Sequence, residues 1–187
     1  TETMSRLAVH ADFLLILLAP FYLIWEDPRT LLFIQSFIIG IGAYYVYKIS
    51  GLILKDKTLS LIFSVSYLLN PFVQKQNLFD FHAVALATTF LLAAFYYSFL
   101  KRYKLFLLFL FLAILTKENV YLVSFLFGIY LFIKTRNKNW LFLSIASIAV
   151  FYLLIAKFIP NARGGAHFAS EYFQDFGDSP AEIIKNI

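Results

Sequence analysis

The sequence contains no cysteine and few charged residues. Without cysteine, the chain has neither disulfides nor thiolate metal sites. Charged side chains make up 14% of the 187 residues, compared with about 25% in a typical soluble domain, which is too few to cover the surface of a soluble protein of this length. P-loop, dinucleotide-binding, His-Glu-x-x-His and nucleophile-elbow patterns are also missing, so nothing indicates a soluble nucleotide site.

Apolar and aromatic residues dominate instead. Hydrophobic residues make up 61% and aromatic residues 20%, and the mean hydropathy is +0.76. These values predict an all-α fold, a polytopic transmembrane helix bundle of about six to seven membrane segments, because lipid requires helices that are apolar all round. A crossing needs about 20 residues, so the shorter segments are predicted to be tilted, half-length or re-entrant. The apolar segments are 13–25, 30–49, 59–73, 82–100, 105–116, 119–133 and 140–159.

The two ends of the chain differ from its apolar body. A transmembrane helical domain is predicted over residues 1–160, followed over 161–187 by an outward-facing loop and the start of a further region. The chain begins with Thr1 and lacks the pattern of a signal peptide, and residues 178–182 read as the start of another helix. We therefore expect a piece of a longer membrane protein.

Basic and acidic loops alternate along the chain. By the positive-inside rule, the basic loops are predicted to be cytoplasmic and the acidic loops to face outward from the cell membrane. Strict alternation gives seven crossings, and the net charge of +5 then reflects topology rather than binding to nucleic acid. The residues that define the three basic loops are Lys48, Lys55, Lys57, Lys101, Arg102, Lys104, Lys134, Arg136 and Lys138.

The apolar run 105–133 is too long for one crossing. As a single helix it would measure about 43 Å, compared with roughly 30 Å for the hydrocarbon core. A hairpin of two short arms keeps the flanking basic loops on one side and places Lys117 and Glu118 at its tip. Upstream, Asn70-Pro71 is predicted to close the third segment, residues 74–77 to form a polar turn, and Asn77 to cap the fourth segment.

Two ionisable pairs are predicted to lie at the outer face. Asp80 and His82 suit metal binding or proton transfer, although they also suit a helix cap beside an interfacial histidine. Residues two apart do not share a helix face, so joint ligation requires a non-helical turn. Lys117 and Glu118 suit phosphate binding and acid chemistry, and the alternative is a neutralising pair in a loop.

Two further groups are less sharply placed. His10 and Asp12 precede the first apolar segment, and strict charge parity places them on the inner side, although Pro20 lets that segment stop short of crossing. Their alternative role is that of an ordinary helix start. Arg163, His167 and Glu171 follow the last segment; Arg163 suits bidentate phosphate binding, while a solvated loop is the simpler interpretation.

An ordered set of short motifs runs along the chain. It comprises His10, Ala19-Pro20-Phe21-Tyr22, Leu31-Leu32-Phe33-Ile34-Gln35, Asn70-Pro71, Phe79-Asp80-Phe81-His82, Thr116-Lys117-Glu118-Asn119, Lys157-Phe158-Ile159-Pro160 and Gly164-Gly165. In this order, from about residue 10 to 180, the motifs resemble a family of uncharacterised prokaryotic multi-pass membrane proteins, usually described as a domain of unknown function. That family is similar to the class C glycosyltransferases, which are polytopic and use polyprenyl-phosphate sugars.

The resemblance implies an active site at the outer face and a lipid-linked donor. Membrane lipids and a polyprenyl-phosphate sugar are the implied partners, and a divalent metal ion is the implied type of cofactor, with Asp80 and His82 as its candidate ligands. The catalytic candidates are Asp80, His82 and Glu118, and the candidates for binding phosphate or substrate are His10, Lys117 and Arg163.

Two departures qualify the resemblance. The glycosyltransferase class places a key acid in the first outer loop, ahead of the position of His10, and this chain begins too late to contain it. The family reads Ser-Pro where this chain has Asp12-Phe13. We therefore expect the chain to be inactive alone. A membrane transporter and a non-catalytic membrane scaffold are the alternative functions.

Overall fold

A computed structural model describes residues 9–164, which form helices joined by short turns and contain no strand. The last long helix continues through a π-helical turn, Leu154–Phe158, into a short terminal helix. The helices are α1 Leu14–Ile24, α2 Arg29–Leu54, α3 Lys57–Leu69, α4 Pro71–Leu78, α5 Ala83–Phe99, α6 Tyr103–Ile114, α7 Val120–Thr135, α8 Asn139–Leu153 and α9 Ile159–Arg163.

Each predicted apolar segment corresponds to a helix, but the polar turn predicted at 74–77 is wrong. These residues belong to α4, because Asn70 accepts a hydrogen bond from the Phe72 amide (2.9 Å) and Pro71 occupies the first turn, which restarts a helix after α3. Asn77 is also not the cap of α5. It lies in α4, where its side chain accepts a hydrogen bond from Ser36 Oγ (3.0 Å).

Three basic turns meet at one end of the bundle, which we call the basic end. The last turns of α2 and α5 lie together, with the Tyr45 and Tyr96 ring centroids 6.0 Å apart. The end of α7 joins them, because Lys134 Nζ lies 4.6 Å from the centroid of the Phe99 ring. The α2–α3, α5–α6 and α7–α8 turns therefore share this end.

The predicted hairpin over 105–133 is confirmed. Helix α6 ends at Ile114, α7 begins at Val120, and the rings of Phe106 and Phe127 lie 5.6 Å apart, as expected for antiparallel arms. At the opposite end from the basic turns, Ala87 of α5 packs with Ala113 and Val120. The α4–α5 turn (79–82) and the α6–α7 turn (115–119) therefore lie at this second end, which we call the site end.

Helix α1 stays at the site end. Its first residue, Leu14, donates its amide hydrogen to Leu115 O over 2.8 Å. Its 11 residues measure about 16 Å, too short for a membrane core of roughly 30 Å. A four-residue connection leads to α2, whose Leu31 packs against Leu18 of α1. Helix α1 is therefore too short for a full crossing, and strict charge parity is wrong for the segment that precedes it.

The outer surface of the bundle suits lipid. Large apolar side chains are exposed along several helices, including Ile16, Phe37 and Phe142, as expected for lipid-facing helices. By length and composition, the ranges Arg29–Leu54 and Asn139–Arg163 are long and apolar enough to cross a membrane, whereas five other apolar helices are shorter. The description ends at residue 164, so most of the predicted region 161–187, including His167 and Glu171, lies outside the described residues.

Candidate functional site

Glu118 joins two segments that are far apart in sequence. Its Oε1 atom accepts a hydrogen bond from Nδ1 of His10 over 3.0 Å, across 108 residues of chain. Its Oε2 atom accepts the backbone amide of Ala11 over 3.1 Å. Glu118 is 5% exposed, and a carboxylate has only acceptors to offer. The hydrogen of His10 therefore lies on Nδ1, and both carboxylate oxygens hold the N-terminal segment (residues 9–13) in place.

The α6–α7 turn is built to project this carboxylate. Thr116 is fully buried and donates its hydroxyl hydrogen to Ala113 O over 2.7 Å, which occupies a carbonyl at the end of α6. The Glu118 carbonyl accepts the Tyr121 amide over 3.2 Å at the start of α7. Both neighbouring helix ends are thereby fixed, so Glu118 has little freedom to leave the N-terminal segment.

Lys117 and Glu118 do not form the neutralising pair that was one interpretation of the sequence. Glu118 is occupied by His10 and Ala11, and the ion pairs within residues 9–164 join His10 to Glu118 and Arg29 to Asp27 without Lys117. Lys117 is half-buried. Its ammonium group therefore provides a positive charge at the site end that a phosphate can bind.

The N-terminal segment contributes a second buried acid. Asp12 is 5% exposed and lies two residues from His10, beside the nearly inaccessible Ala11. Charge parity predicted that His10 and Asp12 lie on the side of the basic loops. The structure places them instead at the site end, because the segment is held by Glu118 and by the bond from Leu14 to Leu115.

The α4–α5 turn is non-helical, which is the condition that the sequence set for Asp80 and His82 to act together. Gln35 of α2, fully buried, holds this turn: its Oε1 accepts the His82 amide (3.0 Å), and its Nε2 donates to Gln76 O (3.3 Å). His82 Nδ1 lies 2.9 Å from the Asp80 carbonyl. A polar side chain directly after the apolar run 31–34 was the signal for this role, because buried amides require partners.

The contact with the Asp80 carbonyl favours one tautomer of the His82 ring. A carbonyl accepts hydrogen bonds and does not donate them, so Nδ1 carries the hydrogen, and Nε2 of the neutral ring presents a lone pair. The Phe79 ring stacks on the imidazole with centroids 5.6 Å apart. Asp80 and His82 line an open groove of about 370 Å³, together with Pro28, Leu31, Leu32 and Phe81.

The rim of this groove carries an exposed ion pair. Arg29 donates hydrogen bonds to both carboxylate oxygens of Asp27. Its backbone amide lies 2.8 Å and its Nε 2.9 Å from Oδ1, and its NH2 lies 2.7 Å from Oδ2. These hydrogen bonds lower the pKa of Asp27 to about 2. Asp27 therefore remains negatively charged beside Pro28 at any physiological pH.

Within residues 9–164 the predicted site residues lie at the site end, but they form two groups. Phe81 packs in the same cluster as Leu14 and Leu115, which connects the α4–α5 turn to the His10–Glu118 contact. Arg163 ends α9, which reaches this region because the rings of Phe13 and Phe158 lie 5.5 Å apart. His10 and Glu118 are in direct side-chain contact, while Asp80 and His82 line their own groove.

A metal site at Asp80 and His82 stays a prediction. The His82 Nε2 atom and the Asp80 carboxylate are suitable donors. Within residues 9–164, however, no group of three or more histidine, aspartate or glutamate side chains is arranged to hold a metal ion. A metal ion at this position would therefore have at most two side-chain ligands, Asp80 and His82, from the described part of the chain.

Comparison with known proteins identifies a family. Residues 1–187 match a family model described as "Predicted membrane protein (DUF2079)". No curated protein and no solved structure matches the chain. The match confirms the membrane-protein family that the ordered motifs resemble, and the exposed apolar helices agree with it, whereas the similarity to glycosyltransferases stays a prediction. The chain belongs to the DUF2079 family of predicted membrane proteins.

Proposed function

We propose that the chain is part of a membrane enzyme similar to glycosyltransferases, which transfers a sugar from a polyprenyl-phosphate donor at the outer face. The observation that carries the proposal is the contact between His10 and Glu118. It brings a second pair of ionisable residues to the end of the bundle where Asp80 and His82 already lie. Ionisable groups concentrated at one membrane face are expected of a site rather than of a scaffold.

The proposed roles follow from the geometry of each side chain. The lone pair on His82 Nε2 accepts the proton of an acceptor hydroxyl, and Asp80 in the same groove stabilises the resulting positive charge. Lys117 and Arg163 bind the donor phosphate. Glu118 already accepts two hydrogen bonds, so it acts by positioning His10 and keeping the segment that carries Asp12 in place.

An apolar cleft offers room for the lipid part of the donor. It has a volume of about 410 Å³, lies between α6, α7 and α8, and is lined by residues that include Leu107, Phe111 and Val150. Ile114 and Tyr121 form its wall beside the α6–α7 turn. An isoprenoid chain in this cleft would leave its phosphate near Lys117.

Transfer from a radiolabelled polyprenyl-phosphate hexose, measured with the intact protein in liposomes, tests the proposal. Asp80→Asn and Lys117→Met should each reduce transfer by at least about a hundredfold, because they remove the charge that stabilises protonated His82 and a phosphate ligand. Glu26→Gln is the matched control, since Glu26 is an exposed acid in the α1–α2 turn. Transfer at the wild-type rate in both test variants would rule out this site.

A transporter is the second candidate function. Short helices with ionisable groups at their ends are a feature of many transporters, and α3 and α4 are interrupted at Asn70-Pro71. Flux of a solute through reconstituted vesicles without consumption of a lipid-linked sugar would favour this function. Consumption of the donor without flux would favour the enzyme.

The orientation is proposed from charge: the basic end cytoplasmic and the site end outward. Because the chain has no native cysteine, single cysteines report sidedness directly. Asn137→Cys lies in the α7–α8 turn and Asn119→Cys in the α6–α7 turn, and both positions are exposed. An impermeant maleimide added to whole cells should label Asn119→Cys alone. Labelling of Asn137→Cys alone would reverse the proposed orientation.

A further inference from the structure

A second open groove lies at the basic end of the bundle, remote from the proposed site. It has a volume of about 330 Å³ and is formed by the last turns of α2, the α2–α3 turn and the end of α5. Three lysines and two tyrosines dominate its polar lining, which also includes Asp56 and Ser60: Lys48, Lys55, Lys57, Tyr47 and Tyr96. This grouping of ammonium groups and phenols is suited to an anionic ligand.

The α2–α3 turn brings the lysines together. Lys55 adopts a left-handed conformation (φ 55°) that ends α2, with its amide donating to Gly51 O over 3.2 Å. Asp56 then begins α3, and its Oδ1 accepts the Leu59 amide over 2.9 Å. The single acid in the groove is thus engaged in capping a helix, and the lining keeps a net charge of +2 from three lysines and one aspartate.

The groove borders an apolar surface. Leu52 lies in its wall, and Ile53 and Leu54 continue an exposed apolar strip at the end of α2, with exposures of 43%, 58% and 41%. Tyrosines and lysines concentrate where a bundle passes through the headgroup layer. A ligand in this groove therefore has its charged part among the lysines and its apolar part against α2.

We infer that this groove is a binding site for an anionic glycerophospholipid, with the lipid phosphate held by Lys48, Lys55 and Lys57. Basic pockets between helices at a membrane surface bind anionic headgroups in this way. The phenol hydroxyls of Tyr47 and Tyr96 serve as neutral donors to the phosphate oxygens. The inference is independent of any catalytic activity at the site end.

Binding of a short-chain phosphatidylglycerol to the protein purified in a neutral detergent tests the site. Detergent exposes both ends, so a change of membrane orientation cannot imitate a loss of binding. Replacing Lys48, Lys55 and Lys57 by Gln should weaken binding about a hundredfold, from roughly fivefold per lysine. The matched control replaces Lys101, Arg102 and Lys104, at the same end of the bundle, by Gln. It should change binding by less than about threefold.

The double variant Tyr47→Phe/Tyr96→Phe separates a bound headgroup from a general surface charge. It changes no charge and should weaken phosphatidylglycerol binding by at least about a hundredfold, because two hydrogen bonds to a charged group are lost. Tyr44→Phe, at the same end but outside the groove, should leave binding unchanged. The far-ultraviolet circular dichroism of each variant checks that its helices are intact.

Four results would overturn the inference. They are an equal loss of binding in the two triple variants, unchanged binding in the double tyrosine variant, equally tight binding of phosphatidylcholine, and displacement of the lipid by inorganic phosphate at matching concentration. The last result would assign the groove to a free phosphate rather than to a lipid. Selective loss in the groove variants, with phosphatidylglycerol preferred over phosphatidylcholine and phosphate, would establish the lipid site.

Discussion

Replacement of Glu118 by Ala should release the N-terminal segment from the bundle. The change removes the acceptors of two hydrogen bonds, from His10 Nδ1 at 3.0 Å and from the Ala11 amide at 3.1 Å. A hydrogen bond to a charged group contributes about 1.5–3 kcal/mol, so the two together contribute at least about 3 kcal/mol. Since about 1.4 kcal/mol corresponds to a tenfold change in an equilibrium constant, opening of the segment should become at least about a hundredfold more frequent.

Amide hydrogen exchange in lipid nanodiscs measures this opening. The informative amides are those of Ala11 and Leu14, which bond to Glu118 Oε2 and to Leu115 O. Both should lose at least about a hundredfold in protection in the Glu118→Ala variant, because exchange of a locally opened segment follows its opening free energy. Glu118→Gln keeps one acceptor oxygen and should lose about tenfold.

The control variant is Glu26→Ala, which removes an exposed acid from the α1–α2 turn and should leave both protection factors unchanged. Unchanged protection of Ala11 in Glu118→Ala would refute the argument that the carboxylate holds the segment. Equal losses in Glu118→Ala and Glu118→Gln would instead show that the negative charge, rather than the number of acceptors, determines the contact.

Three further predictions concern stability and charge. Gly128→Ala should lower the free energy of unfolding, measured by heating the detergent-solubilised protein, by about 1–3 kcal/mol, because the added Cβ would lie 2.7 Å from a backbone carbonyl of α8. Gly40→Ala adds a Cβ with nothing within 4 Å and should be neutral or slightly stabilising. Gln35→Ala should speed amide exchange in the α4–α5 turn about tenfold, since it removes one acceptor and one donor. In a carbon-13 titration, the Asp27 carboxylate should protonate near pH 2. Its interaction with Arg29 is therefore complete above about pH 4 and is lost as pH falls through 2. Arg29→Gln should return the midpoint of the titration toward 3.8.

The apolar helices were predictable because each contains a long, nearly continuous apolar run. The hairpin at 105–133 followed from length and charge, and it is confirmed with the Lys117–Glu118 turn at its tip. The turn at 74–77 was predicted wrongly because its polar residues were given more weight than Asn70-Pro71, which is also a strong start signal for a helix.

The partners of the site residues were beyond what the sequence indicates. Nothing in a single chain connects His10 to Glu118, because the contact spans 108 residues and depends on how α1 enters the bundle. Gln35 was noticed as part of a motif, but its two hydrogen bonds to the α4–α5 turn require the packing of α2 against α5. Side-chain chemistry is visible in sequence, whereas the pairing of side chains is set by tertiary structure.

The location of His10 follows from the path of α1 rather than from its hydrophobicity. Charge alternation assigns each loop to a side of the membrane by counting the crossings between loops. The prediction of seven crossings counted the first apolar segment, which forms α1, as one of them. Helix α1 has 11 residues and contains Pro20, so it is too short to cross and begins at the Leu115 carbonyl of the site end. Removing this one crossing moves His10 and Asp12 to the site end and leaves the positions of all later loops unchanged. With α1 not counted as a crossing, the charge pattern of the chain agrees with one shared end for all of its predicted site residues within 9–164.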